Sequence, residues 1–233
     1  MPISNYIPSS RLLTPGVCTS TTRPASPFEG QAIFETDTDR MLIWNGSTWV
    51  VPNAPAQNPT GLELITACTV SSVGGTAATA SNGIITIGAG NTSITVSNAF
   101  SSDYRIYRLV FEWRGSAQAT TLLQMGTTAA NYYGSQYYDG FTGSATGTLR
   151  RNNGINWQLS QIGTFAGENS CTIDLSCPQL ATRTSFSGTY YGGIYSGWTS
   201  GQLADTTQYT SFTLTIDTGS YQSGTIQVYG YRK

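Results

Sequence analysis

Two pairs of carboxylic acids have the residue types and spacing that acid–base chemistry needs. Asp37 stands two positions before Asp39, and Glu168 stands six positions before Asp174. Glycoside hydrolysis requires only two such acids, roughly 5–10 Å apart. The first pair lies in a polar turn, where Asp is favoured because it hydrogen-bonds its own backbone. Asp174 falls on the polar face of a predicted strand, so at both places the sequence favours solvated structural acids over a depolymerase centre.

The sequence lacks the residues that most other kinds of catalytic site require. The 233 residues include no histidine, which removes the commonest general base and the commonest transition-metal ligand. A Ser-His-Asp or Cys-His centre therefore cannot form within one chain. The four cysteines include no C-x₂-C pair, which argues against zinc, and the Asp37–Asp39 turn lacks the further acids of an EF-hand calcium loop. We predict no enzymatic activity, no cofactor and no metal site.

Two tyrosine-rich segments are better candidates for a binding surface. Residues 131–140 and 188–198 mix tyrosine with glycine, serine and asparagine and alternate little, so both are predicted to be loops. Tyrosine offers a large rigid contact face with a polar tip, which binding loops exploit, and flat rings suit sugar rings. The same rings could instead fill a subunit interface or plug the ends of a sandwich. The aromatic candidates are Tyr132, Tyr133, Tyr137, Tyr138, Tyr190, Tyr191, Tyr195 and Trp198.

Charge is scarce in this chain, and this argues against two classes of partner. Charged residues make up 10% and the formal net charge is −1, whereas about 25% of residues are charged in an average soluble protein. Basic residues form no block longer than a pair such as Arg150–Arg151, which could meet an anionic glycan or be an exposed strand-end pair. A nucleic-acid groove needs clustered basic residues, and the apolar stretch near residues 62–70 is far shorter than the ~20 residues that span a bilayer. We predict no nucleic-acid binding and no membrane insertion.

Hydroxyl and amide side chains supply most of the polarity, and these suit strands and turns rather than solvated helices. From residue 61 onward, apolar and polar residues alternate in several short runs, most clearly in residues 105–113, 211–217 and 224–233. Turns rich in glycine, asparagine and serine separate the runs. This pattern predicts an all-β fold in which residues 61–233 form an antiparallel, jelly-roll-like β-sandwich knob.

Residues 171–177 alternate in the same way and place Cys171 and Cys177 at the two ends of one strand. Six strand steps separate the two by roughly 20 Å, and a disulfide needs Cα atoms within ~7 Å. Buried free thiols are predicted, and a bond to Cys18 or Cys68 stays open as the alternative. The first residues lack a basic start followed by an apolar run, so no signal peptide is predicted and the expected compartment is reducing.

The first 27 residues are predicted to form an extended arm without a regular element. Prolines at positions 2, 8, 15, 24 and 27 forbid a continuous helix and interrupt any ladder. Such a stretch cannot bury a core of its own, so it either orders against a partner or remains a loose tail. Its apolar anchors are Tyr6, Ile7, Leu12, Leu13 and Val17.

Residues 28–51 are predicted to form a three-stranded meander, the collar, and a proline-rich linker follows over residues 52–60. Asn45–Gly46 is the strongest short hairpin signal because both positions accept φ > 0. Three short strands are about the least that can hold itself together, so we expect the collar to pack against copies of itself in a homotrimer. Its predicted core is Ile33, Phe34, Leu42, Trp44 and Trp49.

Several runs in the chain are similar to those of a known group of proteins. The runs are CTSTTRP, SPFEGQ, ETDTD and WNGSTW near the N-terminus, and YRLVFEW, IDLSCPQ and GTIQVYGYRK further on. Through the first set, residues 16–50 resemble the N-terminal module of many tailed-bacteriophage virion proteins: tail fibres, minor tail proteins and capsid fibres. Through the second set, residues 100–233 resemble, more loosely, the knob of such appendages. The resemblance implies a virion protein, often trimeric, that attaches by its N-terminal part and projects its C-terminal part.

The expected protein is therefore a homotrimeric virion appendage that is assembled in the host cytoplasm. Residues 1–27 would dock onto capsid, tail or baseplate proteins, and residues 61–233 would project and contribute to host-surface adhesion, with a surface glycan as the candidate receptor. The alternative is a decoration or cement protein that clamps capsid or tail subunits and has no receptor. The capsid and tail locations both stay open, because an apolar, proline-rich arm could bind either. The resemblance assigns no single function to the knob.

Overall fold

The computed structural model describes residues 15–52, 61–141, 146–161 and 168–232. These residues form nineteen strands and no helix, so the predicted all-β fold is confirmed. The chain divides into two compact units, Met1–Gln57 (unit 1) and Asn58–Lys233 (unit 2), with the boundary inside the predicted linker. Within the described ranges, no helix is long and apolar enough to cross a membrane.

Unit 1 contains one four-stranded sheet. In spatial order its strands are β1 (Gly16–Cys18), β2 (Ala32–Glu35), β3 (Arg40–Trp44) and β4 (Trp49–Val50). Strands β2, β3 and β4 form an antiparallel meander. The β3–β4 turn forms where Asn45–Gly46 predicts it: Gly46 has a φ of 93°, and the Asn45 side chain accepts hydrogen bonds from the backbone N–H groups of Ser47 and Thr48.

Strand β1 is an element that the sequence pattern does not predict. It runs parallel to β2, with Gly16 opposite Ile33 and Cys18 opposite Glu35. A three-residue parallel strand has too few residues for alternation to be detected, and its partner strand follows only after a long connection. The stretch expected to be an arm without regular structure therefore contributes a strand to the collar sheet, and Val17 lies in that strand. Four other predicted anchors lie outside the described residues: Tyr6, Ile7, Leu12 and Leu13.

One face of the collar sheet is tied to the segment that connects β1 to β2. Ile33, Leu42 and Glu35 are buried on this face, and Arg23 from the connecting segment donates a hydrogen bond to the Glu35 carboxylate. The buried core of this unit is thus small and includes an ion pair. Four of the five predicted collar-core residues share this face: Ile33, Leu42, Trp44 and Trp49.

The opposite face of the same sheet is entirely apolar. Residues that pair directly across strands point to the same face, and the register defines two such rows. We call them together the open collar face: Val17, Phe34 and Met41 in one row, and Ala32, Ile43 and Val50 in the other. Val17 is 72% exposed and Met41 is 44% exposed. Phe34, a predicted core residue, therefore lies on the side away from the tryptophans.

Unit 2 contains fifteen strands. In chain order they are β5 (Leu62–Leu64), β6 (Thr69–Val73), β7 (Thr79–Ser81), β8 (Ile84–Ile87), β9 (Ser93–Ser97), β10 (Tyr104–Gly115), β11 (Thr120–Met125), β12 (Tyr132–Gly140), β13 (Thr146–Gly154), β14 (Trp157–Gln161), β15 (Asn169–Ser176), β16 (Thr184–Gly192), β17 (Tyr195–Leu203), β18 (Phe212–Ile216) and β19 (Tyr221–Arg232).

These strands form two antiparallel sheets, as expected for a β-sandwich. The large sheet has ten strands in the order β13-β12-β17-β16-β15-β10-β19-β8-β7, and β5 also pairs with β19. The small sheet has five strands in the order β14-β11-β18-β9-β6. Because β12, β16 and β17 lie next to one another, two segments that are far apart in the sequence form one continuous surface.

Apolar residues from both sheets form one hydrophobic core. Leu109 and Ile173 from the large sheet and Leu123 and Leu214 from the small sheet belong to it. Buried and less buried residues alternate along β15 throughout its length, so every second side chain of the strand points away from the core. The largest fully buried side chains of unit 2 include Trp113, Trp157, Tyr107, Tyr132, Tyr221 and Phe212. The large sheet consequently has an inner face that packs and an outer face of intervening residues.

All four cysteines are free, and Cys171 is buried as predicted, whereas Cys177 follows the end of β15 and is only partly buried. Burial raises the pKa of the Cys171 thiol to about 12 and that of the Cys68 thiol to about 11. A buried thiol with a raised pKa is a packing residue rather than a nucleophile. No disulfide to Cys18 or Cys68 contributes to either unit.

The Glu35 ion pair is expected to make the collar sensitive to acid. The hydrogen bond from Arg23 holds the pKa of the Glu35 carboxyl below its ordinary value of 4.5, and a hydrogen bond from Thr38 adds to this effect. A carboxyl whose pKa is lowered by folding stabilises the fold above its ordinary pKa, and this contribution is lost as the pH falls through the folded value. The collar should therefore lose stability below pH 4.5.

The indole NMR signals of Trp44 and Trp49, whose rings are 5.5 Å apart, can follow this loss. In the wild type we expect both signals to lose dispersion as the pH falls below 4.5. Glu35→Gln should weaken the collar at neutral pH and make its acid response shallower, whereas Asp39→Asn in the same hairpin should keep the wild-type response. An equal acid response of the wild type and Glu35→Gln would contradict this role of the ion pair.

Candidate functional site

The tyrosine-rich segments are strands, so their prediction as loops is wrong. Residues 131–140 contain β12, residues 188–198 span the hairpin between β16 and β17, and β17 pairs with both other strands. Their alternation is hidden because small residues take many of the inward positions. A Cβ atom at Gly201 would lie 2.8 Å from the Phe186 ring and 2.9 Å from Trp157 Nε1. Glycine is needed there to make room for the rings beneath the sheet.

Alternation divides the eight aromatic candidates into two groups of four. The inner face carries Tyr132, Tyr138, Tyr190 and Tyr195, and the outer face carries Tyr133, Tyr137, Tyr191 and Trp198. Adjacent residues such as Tyr137 and Tyr138 therefore belong to different environments. The packing interpretation fits the inner four rings, and the outer four stay candidates for contact with a partner.

The inner tyrosines pack and form internal hydrogen bonds. The Tyr132 hydroxyl accepts a hydrogen bond from the Met125 N–H at 2.7 Å and donates one to the Thr128 carbonyl. The Tyr190 hydroxyl donates to the Tyr137 carbonyl at 3.3 Å. Burial raises the pKa of both Tyr132 and Tyr190. The remaining two rings meet edge to face with centroids 5.7 Å apart: Tyr138 and Tyr195.

On the outer face, aromatic rings stack in two pairs. Tyr137 and Trp198 face each other across β12 and β17, with centroids 6.2 Å apart and planes 18° apart. Phe141 and Tyr191 stack with centroids 5.8 Å apart. Trp198 is 48% exposed and Phe141 is 61% exposed. We call these four residues the outer aromatic patch. Phe141 was not among the sequence candidates, although it directly follows the first tyrosine-rich segment.

Most side chains around the Tyr137–Trp198 pair carry uncharged hydroxyl groups. One outward row crosses five neighbouring strands and reads Thr148, Tyr137, Trp198, Thr189 and Thr172. The next row carries Ser135, Ser200, Ser187 and Asp174. Large rigid rings among small hydroxyl groups are the combination that binding surfaces use for contact area and adaptable hydrogen bonding. This part of the outer face offers ring area and hydroxyl groups for non-covalent contact.

The carboxylates considered for catalysis have structural partners. The Arg108 guanidinium donates two hydrogen bonds to Asp174, at 2.8 and 2.7 Å, and Glu168 lies 3.9 Å from Arg114. Glu168 directly precedes β15 and Asp174 lies within it, six extended residues further on. The two are thus on the order of 20 Å apart, which exceeds the roughly 5–10 Å that paired glycosidase acids need. Among the described residues, no group of three His, Cys, Asp or Glu could hold a metal ion.

Asp37, an acid of the β2–β3 turn, is bound by Ser20. The Ser20 hydroxyl and backbone N–H both donate hydrogen bonds to its carboxylate, and these hold the pKa of Asp37 below its usual range. The acid thereby fixes the connecting segment of the collar to the β2–β3 turn.

Comparison with models of protein families and with curated proteins finds no match for this chain. A function can therefore be inferred only from the chemistry of the open collar face and the outer aromatic patch, together with the sequence motifs.

Substitutions should separate the two groups of tyrosines by their effect on stability. Tyr132→Ala leaves a cavity in the core and is expected to lower the free energy of unfolding by about 3–5 kcal/mol. Trp198→Ala removes an exposed ring and should cost less than about 1 kcal/mol. Urea unfolding of the full chain measures both. If Trp198→Ala proves as costly as Tyr132→Ala, the outer aromatic patch is a packing feature and not a contact surface.

Proposed function

We propose that this chain is a structural protein of a tailed-phage virion, a homotrimeric appendage whose unit 2 contributes to host-surface adhesion by non-covalent contact. The observation that carries the adhesive role is the outer aromatic patch: two stacked ring pairs, exposed on the outer face of the large sheet and set among hydroxyl groups. Such a surface offers stacking area and hydrogen bonds to a ligand, and it contains no residues arranged for bond cleavage.

The N-terminal motifs support a virion module because they form one connected structural set. Arg23 of CTSTTRP binds Glu35 of ETDTD, and Ser20 of the first run binds Asp37 of the second. WNGSTW supplies the β3–β4 hairpin. The runs that resemble phage virion proteins are thus the ones that hold the collar sheet and its connecting segment together, so they would be expected to occur together in a module.

Self-association is supported by the size and the open face of the collar. Unit 1 spans Met1–Gln57, and a domain of about 60 residues buries only about 60% of the surface that its unfolded chain exposes, so it is marginally stable. Its one cysteine, Cys18, is free, and no metal-binding group is found in the described residues. The open collar face would be covered if copies of the chain packed against one another.

The open collar face also fits the alternative function, that of a decoration or cement protein. An apolar surface of this kind could pack against a capsid or tail subunit instead of a second copy. In that case the outer aromatic patch would not contact a receptor, and the two proposals differ in both the oligomeric state and the adhesion of the isolated protein.

A single charge on the open collar face should break the homotrimer. Met41 is 44% exposed, so Met41→Glu is expected to leave the collar folded while placing a charge in an apolar interface. Sedimentation at micromolar concentration should give three times 24.9 kDa for the wild type and 24.9 kDa for the variant. Thr48→Glu, an exposed position in the β3–β4 turn, is the matched control and should stay trimeric. A monomeric wild type with cooperative unfolding of residues 28–51 would contradict the homotrimer.

Adhesion can be tested with the purified chain on host cells. Tyr137→Ala and Trp198→Ala each remove one ring of a stacked pair and should lower cell binding at least tenfold, as expected for aromatic contact residues. Val73→Ala, which truncates an exposed apolar residue of the small sheet, should bind as the wild type does. Undiminished binding of both ring variants would refute contact through the patch, and absent binding of a trimeric wild type would favour a decoration protein.

A further inference from the structure

We infer that the outer face of unit 2 contains, beside the outer aromatic patch, a subsite for the anionic group of an acidic saccharide, formed around Arg150. The inference rests on the proposed adhesive function and names the chemical class of its ligand. The anionic group is a carboxylate, sulfate or phosphate carried on a sugar ring.

The subsite is a shallow depression of about 760 Å³ where β13, β12, β17 and β16 lie side by side. Small outward side chains on three neighbouring strands form its floor: Ser135, Ser200 and Ser185. Tyr133 and Gln202, which pair across β12 and β17, border it. The wall therefore presents hydroxyl and amide groups that can hydrogen-bond to a polar ligand.

One positive charge faces this depression. Arg150 pairs with Ser135 and points to the outer face, whereas Arg151 pairs with Gly134 and therefore points to the inner face. No carboxylate is among the residues that line the depression. In the described part of the chain, the ion pairs involve Arg23, Arg108, Arg114 and Arg232 instead. On a chain with a net charge of −1, the exposed Arg150 stands out as a local positive site on this face.

The shape of a guanidinium group matches that of the carboxylate, sulfate or phosphate group of an acidic saccharide. The planar fork of arginine binds carboxylate, sulfate or phosphate oxygens through two parallel hydrogen bonds, and these charge-assisted bonds are stronger than neutral ones. The exposed Arg150 forms no ion pair with the described residues that would have to break before it binds an anion. The energetic balance therefore favours a ligand that supplies the missing negative charge.

The depression continues directly into the outer aromatic patch. Arg150 pairs with Ser135 on β12, and Tyr137 is the next outward residue of that strand, roughly 7 Å further along. A sugar ring stacked on Tyr137 and Trp198 would thus bring its own acidic substituent, or that of the neighbouring ring, within reach of Arg150.

The arrangement of charges also gives the bound saccharide a direction. On the other side of Tyr137 the next outward residue is the exposed Asp139, which repels an anionic group. Asp174, further along the serine row, is already paired with Arg108. The acidic substituent is expected to point toward Arg150 and away from Asp139.

The test is binding of the full-length protein to an array of immobilised oligosaccharides in four sets: neutral, uronate-containing, sulfated and phosphorylated. We expect signal on one or more of the anionic sets at least tenfold above the neutral set, and a decrease with added salt as for other exposed charge contacts. Arg150→Gln should remove this preference. The matched control is Arg105→Gln, an exposed arginine on β10, five strands from β13 in the sheet order and roughly 24 Å away.

The outcomes answer two questions: whether the anionic subsite exists, and whether the protein binds host cells. An anionic preference that Arg150→Gln abolishes and Arg105→Gln retains supports the subsite, and the set that binds identifies the anionic group. Equal signal on neutral and anionic sets, an unchanged Arg150→Gln variant, or no signal on any set overturns it. Host-cell binding that depends on Trp198 would then leave adhesion standing without the subsite, whereas a wild type that does not bind cells would refute the adhesive function itself.

Discussion

The two-residue alternation of the large sheet is the constraint on which the rest of unit 2 depends. One face of the sheet shares a core with the small sheet, so every second side chain along β12, β16 and β17 is committed to packing. Tyr138 and Tyr137 are neighbours in the sequence, yet one ring meets Tyr195 on the inner face and the other stacks on Trp198 outside. A shift of one residue between β12 and β17 would exchange their roles, so the register creates the outer aromatic patch.

The scarcity of charge determines the chemical character of that outer face. Most of its positions carry serine or threonine, and Asp174 is paired with Arg108. Against this background, the stacked rings and Arg150, which forms no ion pair among the described residues, are the features with the strongest binding potential. The collar presents a different chemistry, because its open face is apolar throughout and its opposite face depends on the ion pair between Arg23 and Glu35. The two units thus offer surfaces suited to different kinds of partner.

Much of the fold could be predicted from the sequence, because alternation is clear wherever large apolar residues occupy the inner positions. This holds for the strands around Leu109 and Ile173, and the Asn45–Gly46 turn has an equally clear local signal. The pattern fails in β12, β16 and β17, where residues such as Gly201 fill inner positions and leave no apolar side chain to count. It also fails for β1, whose three residues pair in parallel with a strand that is distant in the sequence.

The sequence predicts which types of residue form the candidate site, but not how these residues are arranged in space. Sequence identified Tyr137, Tyr191 and Trp198 as candidates together with rings that prove to be buried, since only the pairing of distant strands decides which residues share a face. The same pairing places Arg150 next to Ser135 and close to Tyr137, a neighbourhood that no sequence spacing encodes. Phe141 joins the patch because it follows directly on β12 and its ring reaches Tyr191.

The most direct test of the central claim is immunogold labelling of intact phage particles with an antibody against residues 61–233, using particles from a lysate in which mass spectrometry detects this chain. An adhesive virion appendage predicts label at the tips of projecting fibres or at the tail tip. Label spread over the head would contradict the adhesive role and support a decoration protein. Purified particles that carry no label would contradict a virion function altogether.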